Sequence, residues 1–299
     1  MRAKYCAVTS KPAIRWTALT LLAVAAVVLV FIAKPSSNQT ANPLVTKGET
    51  RRLRVLTYNV LDDEASVPQR APALFKILKE CDADIIALQE LTPELVTRLG
   101  KEDWIRQSYR MRSEEGQNLV FEELCILSKF PIQHLEFRRL PGHMHRGVLV
   151  ATISAFGRTL AVATSHLDSF LEDGEIRAEQ LDYIFSMLKD ADDAVFMGDF
   201  NFGDGEEPDT AHLDKHYTDL WHAVNKDAPG YTWNIEKSEM AKKGSFPTEK
   251  SRRIDRILLR SNYWLAESST IVGDSPISAD KPDLYPSDHF GLTATMKSK

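Results

Sequence analysis

The feature that most restricts the fold of this chain is a series of short apolar runs that begins at Arg51. Each run has the length of a strand and is rich in β-branched or aromatic residues; in order they are "LRVLTYNVL", "DIIALQEL", "LCILSKFPI", "GVLVATISA", "RTLAVATSHL", "AVFMGDFN", "IDRILLRS" and "GLTATMKS". Two segments between them, residues 69–79 and 176–189, repeat apolar residues at helical spacing. The fourth and fifth runs predict a hairpin that turns at residues 155–158. Hairpins argue against a purely parallel sheet, so we predict an α/β sandwich with mixed sheets.

The N-terminal part of the chain differs from this pattern. Residues 16–33, "WTALTLLAVAAVVLVFIA", carry no charge and are about as long as a helix that crosses a bilayer. We predict a transmembrane anchor at 16–33, preceded by a basic segment at 1–15 and followed by a flexible linker at 34–50 and a folded domain at 51–299. A cleaved signal peptide is the alternative. A core helix of this length would show a polar face, and this segment has none.

Basic residues concentrate before the apolar segment. Four precede it, and the positive-inside rule therefore predicts a single-pass membrane protein with a cytoplasmic N-terminus and an extracytoplasmic domain. Residues 35–299 hold 32 basic and 42 acidic residues, a net charge of −10. This excludes a general nucleic-acid binder that relies on excess positive charge. Three scattered cysteines are too few for a disulfide framework or a zinc site.

Several of the apolar runs end in polar residues that a strand does not need. Because strands that end at the same edge of a scaffold bring such side chains together, we expect them to converge at one rim. The residues are Asn59, Glu90, His166, Asp199, Asn201 and Asp255, together with Asp288 and His289 of "YPSDHFGL".

Each of these residues alone also has a structural explanation. Asn59 could cap a turn, and Glu90 could begin a helix. Asp255 could pair with a neighbouring arginine, and His166 could be a buried core histidine. As a set, however, they offer carboxylates, amides and imidazoles without a hydroxyl or thiol nucleophile. Such a set is typical of phosphate ester hydrolysis with Mg²⁺, and Mn²⁺ is the alternative ion.

The order of the motifs resembles the endonuclease/exonuclease/phosphatase superfamily. "TYNV", "LQE", "TSHLDS", "GDFN", "RIDRI" and "PSDHFGL" follow each other in that family's order over roughly residues 53–297. Within the superfamily, "TSHLDS", "YTWN", "RIDRI" and "PSDHFGL" are most similar to the tyrosyl-DNA phosphodiesterase branch. The resemblance implies a four-layer α/β sandwich, two packed sheets with helices outside.

The resemblance also implies roles for residues in the matching motifs. Asp199 would orient and deprotonate the attacking water, and Asn201 would hold that water or a phosphate oxygen. His289, oriented by Asp255, would stabilise the transition state. His166 would donate a hydrogen bond to a non-bridging oxygen.

The same motifs imply how metal and substrate would be held. Glu90 would be the principal Mg²⁺ ligand, with Asn59 beside it and Asp288 in support. Trp233 of "GYTWN" would form a wall of the substrate site, although ordinary core packing explains it equally well. Arg253 would contact phosphate or balance nearby acids.

Two positions depart from the family pattern. The acid that often follows the "TYN" asparagine by two residues is Leu61 here, with Asp62 and Asp63 just beyond. The arginine that follows "GDFN" in the tyrosyl-DNA branch is replaced by Gly203. Because Leu61 is not an acid, the help that this position gives to metal binding in the family is in doubt. Because Gly203 replaces an arginine, one contact with the substrate is missing or is supplied by another residue.

These observations predict a monomeric, metal-dependent phosphodiesterase of the tyrosyl-DNA type, whose substrate would be a DNA end, an aryl phosphodiester or a phospholipid. A membrane-proximal phospholipase C or sphingomyelinase-type enzyme, or an extracytoplasmic nuclease, is the alternative on the same fold. A non-catalytic binding module is a further alternative, against which the complete set of polar residues argues.

Overall fold

The protein, described here by a computed structural model for residues 50–110 and 112–299, contains two six-stranded sheets. In spatial order, sheet 1 contains β11 (Trp264–Val272), β12 (Gly291–Ser298), β1 (Arg52–Asn59), β2 (Ile85–Gln89), β4 (Leu124–Ser128) and β3 (Val120–Phe121). Sheet 2 contains β5 (Ile132–Arg139), β6 (Gly147–Ala155), β7 (Arg158–His166), β8 (Ala194–Asp199), β10 (Asp255–Arg260) and β9 (Thr218–Asp219). Both sheets are mixed, because β1–β2 and β7–β8 are parallel and the other neighbours are antiparallel.

The two sheets pack face to face, with helices on their outer faces. The described helices are α1 (Val67–Cys81), α2 (Pro93–Leu99), α3 (Asp103–Ser108), α4 (Gly174–Leu188), α5 (Leu220–Asn225) and α6 (Glu239–Gly244), with a 3₁₀ turn at Asp209–His212. Val55 of β1 and Val195 of β8 belong to the core between the sheets. Leu181 of α4 packs in a second cluster with Phe196 on the outer face of sheet 2. The sandwich with mixed sheets and outer helices is therefore confirmed.

Local predictions agree with the structure to within a few residues. The helix predicted at 69–79 is α1, which begins two residues earlier and ends two later. The one predicted at 176–189 is α4, at Gly174–Leu188. The hairpin turn lies between Ala155 and Arg158, as expected. Four shorter helices were not predicted, because a helix of six or seven residues is too short to show a clear periodicity.

The predicted anchor at 16–33, the basic segment and nearly all of the linker lie outside the described residues. Within residues 50–110 and 112–299, none of the helices has both the length and the apolar character needed to cross a bilayer.

Strand direction explains why the polar ends of the runs meet. The parallel pairs β1–β2 and β7–β8 finish at the same rim, where Asn59 lies opposite Gln89 and His166 opposite Asp199. β10 runs the other way and begins at this rim, with Asp255 opposite Asp199. Since side chains in a strand alternate between faces, Asp199 shares the inner face with Val195. The rim of the cleft between the sheets is therefore lined by the polar ends of strands from both sheets.

A buried polar bridge lies directly beneath this rim. Gln89 Nε2 donates to Thr57 Oγ1 of the neighbouring strand at 3.1 Å and to Thr164 Oγ1 of the opposite sheet at 2.9 Å. All three residues are fully buried. Because a satisfied buried network fixes a single arrangement of its members, this bridge holds the two sheets in register below the polar cluster.

Candidate active site

Sharp backbone turns follow three of the strands that reach the rim. Leu61 after β1, Glu90 after β2 and Asn201 after β8 all have left-handed backbone conformations, with φ of 64°, 60° and 58°. This conformation costs a non-glycine residue about 1 kcal/mol and concentrates at functional sites. The turns allow residues beyond the strand ends to direct their side chains back towards the cleft.

Asp199 lies at the centre of the cluster. Its Oδ2 accepts a hydrogen bond from Asn59 Nδ2 at 3.0 Å and lies 3.4 Å from His166 Nε2 and 3.7 Å from His289 Nε2. Its Oδ1 accepts the backbone N–H of Asn201 at 3.0 Å. Burial alone would raise the pKa of Asp199, but the two histidines and the two hydrogen bonds outweigh burial and lower it. Asp199 is therefore held as a carboxylate in the buried rim.

The residue before Asp199 is fixed by the approach of two strands. A Cβ atom on Gly198 would lie 2.1 Å from the backbone oxygen of Ser165 in β7. Only glycine fits between the strands here, and this close approach places Asp199 beside His166.

His289 and Asp255 form a buried pair. His289 Nδ1 lies 2.9 Å from Asp255 Oδ2, and the backbone N–H of Asp255 donates to Thr232 Oγ1 at 3.0 Å. Burial disfavours the charged imidazole, but Asp255 and Asp199 together raise the pKa of His289 well above its ordinary value. The ring is therefore a cation at neutral pH, with Nε2 directed towards Asp199.

A second imidazole, His166, is supported by residues that the motifs did not reveal. Arg146 NH1 donates to Glu123 Oε1 at 2.6 Å, and Arg146 NH2 lies 3.1 Å from His166 Nε2. Burial and Arg146 both lower the pKa of His166, whereas Asp199 and Glu123 raise it, and the net direction is upward. His166 Nδ1 is buried without a hydrogen-bond partner among the described residues. An unpaired nitrogen of this kind is available to a ligand.

Glu90 has the character expected of a cation ligand. Its Oε2 accepts the backbone N–H of Asp62 at 2.9 Å, and its Oε1 accepts from Asn59 Nδ2 at 3.0 Å. Burial, with the charges of Asp288 and Asp62, raises the pKa of Glu90 despite the opposing effect of His166. A divalent cation would relieve this accumulation of negative charge, and oxygen ligands suit Mg²⁺. The residues present therefore fit the ion that the sequence predicts.

Asn59 lies in the cluster beside Glu90, with its side-chain nitrogen directed at two carboxylates. Its nitrogen donates to both Glu90 and Asp199, and its oxygen accepts the backbone N–H of Leu61 at 3.1 Å. In this arrangement the nitrogen does not bind a cation, and a contact between the Asn59 oxygen and Mg²⁺ stays a prediction. Asn59 separates the two carboxylates and hydrogen-bonds to both.

The "SDH" segment enters the cleft through a serine. Ser287 Oγ donates to the backbone oxygen of Asn59 at 2.7 Å, and Asp288 Oδ1 accepts the backbone N–H of His289 at 3.1 Å. Ser287 thus ties the segment to the end of β1. The charge of Asp288 is among the causes that raise the pKa of Glu90.

Trp233 lies against the imidazole of His289. The ring centroids are 5.0 Å apart, and Trp233 is largely buried, with 7% of its surface exposed. Its backbone pairs with Arg252 in an isolated bridge. The structure therefore shows Trp233 packed against His289, and its contact with a substrate stays a prediction.

Arg253 does not reach the cleft. Its side chain is fully buried, donates to Asp204 and lies 2.9 Å from Asp219 Oδ2, beside the buried Arg256. Both acids and complete burial commit its charge to the scaffold, which favours the second of the two roles considered for Arg253, balancing nearby acids, over contact with phosphate. From the sequence "RR" alone, contact with phosphate and pairing with nearby acids could not be distinguished.

The presence of Gly203, where the tyrosyl-DNA branch has an arginine, has a structural explanation. A Cβ atom there would lie 2.8 Å from Glu206 Oε1 and 3.3 Å from Arg252 Cδ. Arg252 in turn donates to Glu206 Oε2 at 3.0 Å and pairs with Glu249. The space beside Gly203 is thus filled by an ion pair, and Arg252 is the arginine nearest to that place.

The charge on Glu123 predicts an acid-dependent contribution to stability. His166 and Arg146 overcome the opposing effect of burial and lower the pKa of Glu123 from 4.5 to about 2. The lowered pKa stabilises the fold above the unfolded value and ceases to do so as pH falls through the folded value. We expect Glu123→Gln to lower the free energy of unfolding at pH 7 by roughly 2 kcal/mol. Urea unfolding should show a constant difference from wild type between about pH 5 and pH 6, because above that range the difference also depends on the titration of His166, whose pKa Glu123 helps to raise.

Below pH 5 the difference in unfolding free energy should narrow. Unfolded wild type binds a proton at Glu123 at a higher pH than folded wild type does, which lowers the stability of wild type, whereas the variant has no carboxylate at this position. Glu115→Gln is the matched control, since Glu115 pairs with an exposed histidine at the surface. A difference between wild type and Glu123→Gln that stays constant down to pH 3 would contradict the assigned cause.

A two-sheet sandwich with helices on its outer faces and a carboxylate, amide and imidazole cluster at one rim is the architecture of a phosphoesterase class. The match to a known family is consistent with that class. The chain belongs to the Endonuclease/Exonuclease/phosphatase family, which matches residues 56–289.

Within this family, the chain is similar to tyrosyl-DNA phosphodiesterase 2. It is 29% identical to the Danio rerio enzyme over 262 residues, covering 84% of this chain and 68% of that protein. It is 24% identical to the Rattus norvegicus enzyme over 256 residues, 83% and 68% of the two chains. The crystal structure of D. rerio TDP2 complexed with single strand DNA product superimposes with a TM-score of 0.68 and 25% identity, covering 82% and 98%.

A more distant neighbour shares the fold alone. The human Nocturnin catalytic domain with bound sulfate anion has a TM-score of 0.60 at 16% identity, covering 84% of this chain and 97% of that one. The resemblance to the tyrosyl-DNA branch inferred from the motifs is confirmed by the first group of relatives, and the sandwich fold by both.

Proposed function

We propose that this protein is a Mg²⁺-dependent phosphodiesterase that hydrolyses an aryl phosphodiester at a DNA end. The observation that carries the proposal is the position of Asp199 Oδ2, which lies within 3.0 to 3.7 Å of Asn59, His166 and His289. A carboxylate between two imidazoles, one of them paired with a second carboxylate, provides a base and cationic donors around one small volume. Hydrolysis of a phosphodiester needs both.

Asp199 would act on the water. Its lowered pKa keeps it ionised, and its backbone partner Asn201 fixes the carboxylate from one side. An ionised, oriented carboxylate can hold a water molecule by hydrogen bonding and accept its proton as the oxygen attacks phosphorus. The Asn201 side chain donates to the Leu167 backbone oxygen at 2.8 Å, so its amide is rigidly placed at the same rim.

The two histidines would stabilise the charge that develops on phosphate oxygens. His289 is held as a cation by Asp255 and Asp199. His166 has an unpaired Nδ1 that lies 3.7 Å from the nearest oxygen of Glu90. Because both rings are fixed before substrate binds, their donors need no reorganisation in the transition state.

Glu90 would be the principal ligand of Mg²⁺, with Asp288 and Asp62 nearby. Asp62 stands one position beyond the acid of the family pattern, and the left-handed turn at Leu61 precedes it. Its backbone N–H already contacts Glu90. The ion would supply charge neutralisation of a phosphate oxygen when bound.

Two observations support the proposed substrate: the names of the related proteins and the aromatic side chain at the rim of the cleft. The relatives are named tyrosyl-DNA phosphodiesterases, and one related structure is titled as a complex with a single strand DNA product. Trp233 beside His289 offers an aromatic surface next to the reacting centre, which would suit an aryl group or a base.

A substrate panel tests the proposal. The full-length chain would be given a 5′-tyrosyl oligonucleotide, plasmid DNA, sphingomyelin and a chromogenic aryl phosphodiester, each with Mg²⁺ and with EDTA. We expect turnover of the tyrosyl oligonucleotide and of the chromogenic ester, and loss of both in EDTA. Turnover of sphingomyelin alone would move the protein to the lipid alternative. No turnover on any substrate would leave a binding module.

A further inference from the structure

A second cluster of metal-binding side chains lies outside the candidate active site. It contains His143 from the connection between β5 and β6, Asp168 just after β7, and Asp173 immediately before α4. We propose that these three residues form a separate site for a transition-metal ion of the Zn²⁺ type. The site shares no residue with the cluster around Asp199 and Glu90.

The distances between the three donor atoms fit one ion. His143 Nε2 lies 3.3 Å from Asp173 Oδ2 and 3.8 Å from Asp168 Oδ2, and the donor atoms all lie within 4.8 Å of one another. Ligands bound to Zn²⁺ at 2.0 to 2.2 Å in a tetrahedron are roughly 3.3 to 3.6 Å apart. At 3.8 Å the His143–Asp168 separation is too long for a hydrogen bond. Three side chains can therefore bind one ion with small adjustments, leaving a fourth position for water.

The charges of the cluster are not balanced by the protein. The side chain of Asp168 is 0% exposed and that of Asp173 is 4% exposed. Within the described part of the chain, His143 is the ion-pair partner of both. The neighbouring Arg177 forms its ion pair with Asp209 at 2.6 Å. Two buried carboxylates beside one imidazole are costly unless a cation joins them.

The surroundings of the cluster orient its ligands as a metal site requires. Gln180 Nε2 donates to Asp168 Oδ1 at 2.8 Å, and Oδ2 accepts the backbone N–H of His143 at 3.2 Å, so Oδ2 lies on the His143 side. The backbone N–H of Phe170 donates to Asp173 Oδ2 at 3.3 Å, and the Phe170 ring stacks on the His143 ring at 5.8 Å. Outer hydrogen bonds of this kind fix the direction of ligating carboxylates. The half-exposed His143 side chain leaves a path to solvent.

The type of donor selects the type of ion. One imidazole nitrogen and two carboxylate oxygens suit Zn²⁺, Mn²⁺ or Co²⁺, whereas Mg²⁺ and Ca²⁺ prefer oxygen alone. Among the ions that suit the set, Zn²⁺ binds more tightly than Co²⁺ or Mn²⁺. An ion here would join the connection that carries Arg146 to the start of α4, and Arg146 contacts His166. The site would therefore support the candidate active site from outside it.

Zn²⁺ binding to the full-length chain tests this site. All measurements would use the Glu90→Gln background, which removes the principal ligand of the proposed Mg²⁺ site. His143→Ala and Asp173→Asn would be compared with His134→Ala, a control in which an exposed histidine paired with one carboxylate is removed. Calorimetric titration with Zn²⁺ gives the number of ions and their affinity. Co²⁺ provides a second readout through its visible absorption, and neither readout depends on activity.

We expect Glu90→Gln and its His134→Ala derivative to bind one Zn²⁺ more than the His143→Ala and Asp173→Asn derivatives. Removal of one ligand should lower the affinity for this ion at least about 100-fold, since even loss of a supporting hydrogen bond lowers metal affinity by 10- to 100-fold. The Co²⁺ absorption should disappear with the same two variants. Equal Zn²⁺ binding in all derivatives, or no Zn²⁺ bound in the Glu90→Gln protein, would overturn the site and leave the proposed hydrolase unaffected.

Discussion

Asp199→Asn is expected to lower kcat on the tyrosyl oligonucleotide by a factor of about 1,000 or more, equivalent to roughly 4 kcal/mol of activation free energy. Asparagine has nearly the same shape, but it cannot accept the proton of a water molecule. It also leaves the cationic His289, and His166 beside it, facing a neutral amide where Asp199 Oδ2 lies 3.7 and 3.4 Å from them. Both losses act on the transition state more than on substrate binding, so KM should change little.

Steady-state kinetics with Asp227→Asn as the control would measure this effect, because Asp227 is exposed at the surface. Circular dichroism and thermal unfolding establish that each variant is folded. A folded Asp199→Asn protein that retains more than about a tenth of the wild-type kcat would remove Asp199 from the role of base.

Much of the fold was predictable because its signals are local. The hairpin between β6 and β7 follows from the two strand-like runs in "GVLVATISAFGRTLAVATSHL". The helices α1 and α4 follow from apolar residues at helical spacing in other segments. The pairing of β10 with β8, and of β12 with β1, joins residues that are far apart in sequence. Those contacts depend on which apolar faces complement each other in three dimensions, and the order of the motifs indicated them only through the family resemblance.

The site was predictable to the extent that its residues follow strands directly. Asp199, Asp255, His166 and Glu90 were identified because each ends or begins an apolar run. Arg146, Glu123 and Thr232 were missed because a charged or hydroxyl side chain in a connection gives no signal until the fold brings it to the rim. The side-chain direction of Asn59 and the commitment of Arg253 to Asp204 also depend on tertiary contacts.

His289→Gln is expected to lower kcat by about 1,000-fold, and Asp255→Asn by a smaller factor, because Asp255 acts through the ring of His289. Asp255 lies 2.9 Å from Nδ1 and is the first of the groups that raise the pKa of His289. In wild type the ring therefore stays protonated above its ordinary range, and activity that needs the cation should persist to a correspondingly high pH.

In Asp255→Asn the pKa of His289 should fall, so the alkaline loss of activity should move to lower pH, while His289→Gln should lack that limb. Because the two residues act as one unit, the double variant should be no slower than His289→Gln within a factor of about three. The pH profiles of kcat for the three variants distinguish this from a structural role. A purely structural Asp255 would lower activity equally at every pH, and its loss would multiply with that of His289.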